Sequence, residues 1–149
     1  MNNLKQLYET DLNLWLEKTI SAIQDKNYEA MDWDNLLEEI EDMVKSQKRA
    51  LRSYYYRLVE HILKLRYWHN ERERNKTKWK SEVINFRREI KDILEDSPSL
   101  KNYLHDNHAA WFTKAVEGLG RKGQFSVEDT AVIPLSKMLD DDFFGISQT

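Results

Sequence analysis

The chain has no cysteine in its 149 residues. That excludes disulfides, thiolate zinc sites and cysteine nucleophiles, and it suits a reducing cytosol. Two prolines and four glycines leave too few breakers for the many tight turns of an all-β fold. No apolar run approaches the length of a membrane span, so no membrane is expected as a partner. The opening stretch MNNLKQLYETDLNLW carries Glu9 and Asp11 where a signal peptide would be apolar. No Walker loop, GxGxxG, GxSxG or HExxH motif occurs. What is abundant is charge, at 33% of residues, beside an apolar fraction of 40%. A single-domain helical protein with broad solvated faces fits that balance and this length.

The net charge of −3 conceals a strong division. Residues 1–43 hold three Lys against eleven Asp or Glu, a net of −8. Residues 44–91 hold fifteen Lys or Arg against five Glu, a net of +10, and residues 92–149 return to −5. A basic centre between acidic ends is the most unusual global feature.

Apolar residues recur every three or four positions through most of the chain. Leu4, Leu7, Leu12, Trp15, Leu16, Thr19 and Ile23 mark a first amphipathic helix, with QDKNYEAMDWD as the connection after it. Asp34 is a suitable N-cap for a second helix, whose stripe (Leu37, Ile40, Val44, Leu51, Tyr54, Leu58, Ile62, Leu65) extends to about Trp68. HNERERNKTK reads as a charged turn. A third helix is expected near Trp79 to Leu94 and a fourth from Pro98 to Glu117, stopped by Gly118 and Gly120. A short helix after Pro134 docks Leu135, Met138, Leu139 and Phe143. The fold class is therefore all-α: one domain over 1–149, an antiparallel bundle of about four main helices with a short C-terminal helix or tail docked on it. Pairing across the turns places Trp15 beside Asp42 and Met43, His61 and Lys64 near Trp79 to Val83, and Trp111 near Phe86 and Val83.

Several pieces together resemble the bacterial, largely cyanobacterial, domain of unknown function 29 family. They are YETDLNLW (Tyr8, Asp11, Trp15), LLEEIEDM (Glu38, Glu39, Ile40, Glu41), KRALRS (Arg49, Leu51, Ser53), HILK (His61, Lys64), Trp79, and LEDSPSL (Leu94, Ser97, Pro98, Leu100). They occur in family order over about residues 8–104, and the remaining 105–149 form a C-terminal helix and tail. Where the family often has a glycine after the acidic cluster this chain has Val44, and its AVIPLSK lacks the family's Cys-Pro-aromatic pattern. The resemblance implies an all-helical domain without an assigned activity.

Four groups of side chains have chemistry to offer, and each has a plainer explanation beside it. The acids Glu38, Glu39, Glu41 and Asp42, with Asp11 nearby on the first helix, can form a partner-binding surface. They can equally be a solvated helix start favoured by the dipole. No Glu-x-x-His unit accompanies them, so neither a metal nor another cofactor is expected. In RLVEHILK, His61 between Arg57 and Lys64 suits acid–base chemistry, although a half-buried structural histidine explains it as well. HEPN-superfamily RNA-cleaving proteins use Arg-x4-6-His, and Arg57-x3-His61 is shorter. Arg49, Arg52, Arg57 and Lys64 lie in a stretch where cations and aromatics interleave, as nucleic-acid binding requires, but the core needs those aromatics too. His105 and His108 have metal-compatible spacing but no third ligand. The leading expectation is a cytoplasmic, non-catalytic interaction or regulatory module. It would bind a protein partner or itself through complementary acidic and basic surfaces. The alternative is a nucleic-acid-binding protein or small HEPN-like RNA-cleaving enzyme using Arg57, His61 and Lys64.

Overall fold

The structure is a computed structural model that describes residues 3–127 and 130–146. All regular elements among these residues are helical: α1 (Leu4–Thr10), α2 (Leu12–Gln24), a 3-10 turn (Tyr28–Ala30), α3 (Trp33–Tyr67), α4 (His69–Asp96), α5 (Leu100–Lys122) and α6 (Leu135–Met138). None is long and apolar enough to cross a membrane. The chain packs as two compact units, residues 1–46 and 47–149, and the uninterrupted α3 contributes to both.

In the N-terminal unit, the expected first helix is two helices. Asp11 leaves the helical region, and its side chain caps α2 by accepting from the Leu14 amide at 3.0 Å. The core is small: Leu4, Leu7 and the fully buried Trp15, with Tyr8, Leu14 and Leu36 against it. Trp15 stands edge-on to Tyr8, with ring centroids 5.0 Å apart. Its indole N–H donates to Asp32 at 3.3 Å, because residues 25–32 fold back on α2 instead of forming a tight turn. The helix start also differs. α3 begins at Trp33, so Asp34 sits within its first turn. Asp32 precedes the helix, its carbonyl accepting from Leu36 N and its side chain from Asn35 Nδ2. Asp32 stands between Met31 and, four residues on, Leu36. That spacing of apolar residues around a helix start is the signature of a hydrophobic staple, visible in the sequence.

The C-terminal unit is a three-helix bundle. α4 runs antiparallel to α3, as the contacts of His61 with Glu82 and of Gln47 with Ser97 show. α5 runs parallel to α3, with Lys48 over Tyr103 and Tyr55 beside His108. Gln47, the polar interruption of the α3 stripe, is accounted for by its 2.7 Å bond to Ser97 Oγ. The core includes Leu51, Tyr55, Leu58, Ile62, Leu65, Val83, Ile90, Leu104, Phe112 and Leu119. Trp111 lies against Tyr55 and Tyr56 of α3 and against Tyr103 of its own helix.

Two helix ends depart from expectation. HNERERNKTK is helical, and Trp68 alone breaks α3 from α4. Glu, Arg and Lys are good helix formers, and Trp68 secures the corner by stacking on Trp79 and Phe125. Gly118 and Gly120 are carried inside α5, which ends at Gly123 in the left-handed conformation (φ 65°). A mid-helix glycine costs about 1 kcal/mol, which the burial of Ala115 and Leu119 outweighs.

The tail returns along α4. Buried Arg87 donates from Nε to the Met138 carbonyl at 2.7 Å and from Nη2 to the Phe143 carbonyl, with its cation over Phe144. Burial lowers its pKa, and Asp141 and Asp140 oppose that shift. Lys91 pairs with Asp141 at 2.7 Å and holds that carboxyl below its ordinary value. Gly145 (φ 77°) comes so close to Ile62 that a Cβ would stand 2.9 Å from its Cγ2.

Candidate functional site

Of the acidic residues read from the sequence, Glu38, Glu39 and Asp42 all act on the Tyr8 hydroxyl. Glu38, Glu41 and Asp42 are exposed along α3, whereas Asp11 is spent on capping α2. Glu39 alone is drawn in. The Tyr8 hydroxyl donates to its Oε1 at 2.7 Å, and this bond, with the neighbouring carboxylates, raises the Tyr8 pKa. Among the described residues, no three His, Asp or Glu gather as a metal site.

What does gather in this unit is exposed apolar surface. On α2, Leu12, Leu16, Ile20 and Ile23 recur at helical spacing, each 41% exposed or more. On α3, Trp33, Leu37, Ile40 and Val44 do the same, and Met43 beside them is 68% exposed. The sequence reading placed most of these residues in the core. The periodicity is real, but each helix has a second apolar row about a quarter-turn from its buried one. In α2 the buried row is Trp15, Thr19 and Ala22; in α3 the inward row is the half-buried Leu36 and Glu39, continuing from Asp32 before the helix. Asp34 and Glu41 border the α3 row, about a quarter-turn away on the helix. Single exposed hydrophobes are ordinary, but two helical rows of them are not.

In the C-terminal unit, His61 is fixed on both sides. Its Nδ1 is 2.8 Å from the Arg57 carbonyl and its Nε2 is 2.5 Å from Glu82, with Phe86 edge-on to the ring. Neither nitrogen is left to exchange a proton with a substrate unless one of these bonds opens. Glu82 was not singled out in the sequence; an antiparallel α3–α4 register alone puts it there. Arg49, Arg52 and Arg57 are exposed and Lys64 is half-buried. Tyr54 and Tyr56, the aromatics between them, pack against the core. His108 approaches the Tyr55 hydroxyl at 3.5 Å, and burial and His105 together lower its pKa. His105 is exposed beside Asp106.

The family model described as Domain of unknown function DUF29 matches residues 7–144, nearly the whole chain. The chain belongs to this family. No curated protein and no solved structure matches this DUF29 protein. The match extends the likeness seen in residues 8–104 through α5 and the returning tail, so Arg87 and its acceptors at Met138 and Phe143 lie within the family region.

Proposed function

We propose that this DUF29 protein is a non-catalytic interaction module whose N-terminal unit docks a cationic, amphipathic helix of a partner protein. The observation that carries this reading is the pair of exposed apolar rows on α2 and α3. Rows at i, i+3/i+4 spacing accept the apolar face of another helix. Charge selects the partner. The unit, residues 1–46, holds four Lys against eleven Asp or Glu, a net of −7. A second copy meeting it face to face would set acidic rims against each other, whereas Lys or Arg flanking an apolar stripe would pair with them.

The test is a titration of the full chain with a Leu/Lys amphipathic helical peptide and its Leu/Glu counterpart. The Leu/Lys peptide is expected to bind, more weakly at high salt because exposed charges are screened. Leu37→Asp should weaken it about tenfold or more, from loss of one buried apolar anchor and its replacement by an unpaired charge. Ile84→Asp, a substitution of an exposed apolar residue on α4, should leave binding unchanged. Equal binding of both peptides, or salt-independent self-association of the free protein, would count against the reading.

A second reading, nucleic-acid binding, is favoured by one observation: Arg49, Arg52 and Arg57 are all exposed along α3. It predicts an RNA mobility shift that fades between about 50 and 200 mM salt and is lost when the three become Ala. It also covers RNA cleavage dependent on His61, which requires the Glu82 contact to open.

A further inference from the structure

The corner where α3 gives way to α4 carries an open cleft of about 420 Å³. Its size falls in the range of small-ligand sites, about 300–1,000 Å³. Arg66, His69 and Arg72 form its basic side, and Phe143, Gly145 and Ile146 of the returning tail form the other. Gly145 is what lets the tail lie so close. A Cβ on it would collide with Ile62 and stand 3.7 Å from the Cβ of Arg66. No carboxylate is among the described residues that line the cleft. Asp140, Asp141 and Asp142 precede its apolar wall in the chain, and Lys91 holds Asp141.

The three basic side chains are not alike. Arg72 is half-buried and fixed: Nη1 donates to the Leu65 carbonyl at 3.0 Å and Nη2 to His69 Nδ1 at 2.8 Å. The first bond serves a carbonyl in the last turn of α3. These two bonds use two of its five N–H groups. A guanidinium only donates, so His69 Nδ1 accepts and its Nε2 carries the proton as a further donor. Arg66 has no comparable structural duty. It is exposed, its cation lies 5.8 Å over the Tyr67 ring, and it forms no ion pair among the described residues. Its Cβ stands beside the tail wall, so the cleft is within reach of its side chain. Around the corner, residues 64–80 hold seven Lys or Arg against two Glu, a net of +5. Such a set calls for an oxyanion. A carboxylate has one charge and two oxygens, which a single guanidinium fork satisfies. A phosphate monoester has close to two charges and three free oxygens, which suits two cations and a neutral donor. Phe143 and Ile146 suit an apolar group behind it.

We infer that this cleft binds a phosphate monoester, its phosphoryl group held by Arg66, Arg72 and His69 and its apolar remainder against Phe143 and Ile146. The same chemistry is offered by a free aryl or alkyl phosphate and by a phosphotyrosine side chain on a partner. The site lies in the C-terminal unit. It depends neither on the apolar rows of α2 and α3 nor on Arg49, Arg52 and Arg57.

The test is a titration of the full chain with phenyl phosphate at neutral pH and constant ionic strength, read in amide correlation spectra. Saturable shifts of the Gly145 and Ile146 amides are expected, while the Thr19 amide, in the other unit, stays in place. Benzoate and methyl phenyl phosphate carry one charge each and should bind about tenfold or more weakly. Inorganic phosphate, which has the charge without the apolar group, should also bind more weakly. Arg66→Gln removes one exposed cation from the cleft and is expected to weaken phenyl phosphate binding about ten- to a hundredfold, the range for a charged hydrogen bond. Arg74→Gln makes the same change of charge at an exposed α4 position outside the lining, and should alter binding by less than about twofold, because its charge is screened. A capped peptide with one phosphotyrosine separates the sources: tighter binding than phenyl phosphate assigns the cleft to a partner's modified side chain, weaker binding to a free small molecule. The inference is overturned by the absence of a saturable shift with phenyl phosphate, or by equal losses in Arg66→Gln and Arg74→Gln. Equal binding of methyl phenyl phosphate or of inorganic phosphate overturns it as well. The Leu/Lys peptide experiment stands or falls separately, since it is read on Leu37.

Discussion

Replacing Arg87 with alanine is expected to destabilise the C-terminal unit by about 2–5 kcal/mol, because a large buried side chain and its charged hydrogen bonds are lost together. Two carbonyls, of Met138 and Phe143, lose their donor, at about 1–3 kcal/mol for each group left unpaired and buried. The planar cation over Phe144 goes as well. Arg87→Met should be milder. The native guanidinium bears its own desolvation cost, and its Nη1 is buried with no partner among the described residues. An apolar chain of similar length removes that cost while leaving the carbonyls unserved. Arg87→Lys cannot serve both carbonyls with the geometry of a guanidinium fork. Urea unfolding of the three variants gives the ranking, and hydrogen exchange over residues 138–146 shows whether the tail is released first. If Arg87→Ala and Arg87→Met are equally destabilised, the unserved carbonyls set the cost and filling the space of the side chain adds nothing.

Trp15→Ala is expected to cost about 3–5 kcal/mol, as large aromatic truncations in cores do, and to unfold the N-terminal unit selectively. Trp15 is fully buried, and among the described residues the other buried members of its apolar cluster are Leu4 and Leu7. Asp32 would lose its indole donor at the same time. In the C-terminal unit the core is several times larger and does not contain Trp15. Amide exchange should therefore accelerate across residues 3–44, while amides of core positions such as Leu58, Ile90 and Phe112 keep their protection. Trp15→Phe retains most of the volume and isolates the hydrogen bond, at about 1 kcal/mol, because Asn35 still donates to the same oxygen. Uniform loss of protection in both units would show that they unfold as one.

Helical class and the main apolar stripes were legible in the sequence because a 3.6-residue period leaves a direct trace. Leu51, Leu58, Ile62 and Leu65 lie in the core where their spacing put them. The same trace misled at Leu12, Leu16, Leu37, Ile40 and Val44. Periodicity reports that a face is apolar, not what covers it, and these faces are exposed. The turns were read less well. Helix propensity in HNERERNKTK overrode its polarity, and tertiary burial carried Gly118 and Gly120 inside α5. Polar partners were the least visible. Tyr8–Glu39, His61–Glu82 and Arg87 with the tail join residues 21 to 56 positions apart, and no local pattern announces such pairings. Asp32 could have been found: two aspartates flank Trp33, and only the first stands between Met31 and Leu36 at staple spacing.

The Arg87 clasp also has a direction in time. Its acceptors lie 51 and 56 residues further along the chain. During synthesis, α4 therefore leaves the ribosome as a helix whose one cation destined for burial, among the described residues, has nothing to hold. The Arg87 face of α4 stays uncovered by the tail until Phe143 has been added. For that interval the nascent bundle displays apolar surface around an unpaired charge, the kind of segment on which holding chaperones act.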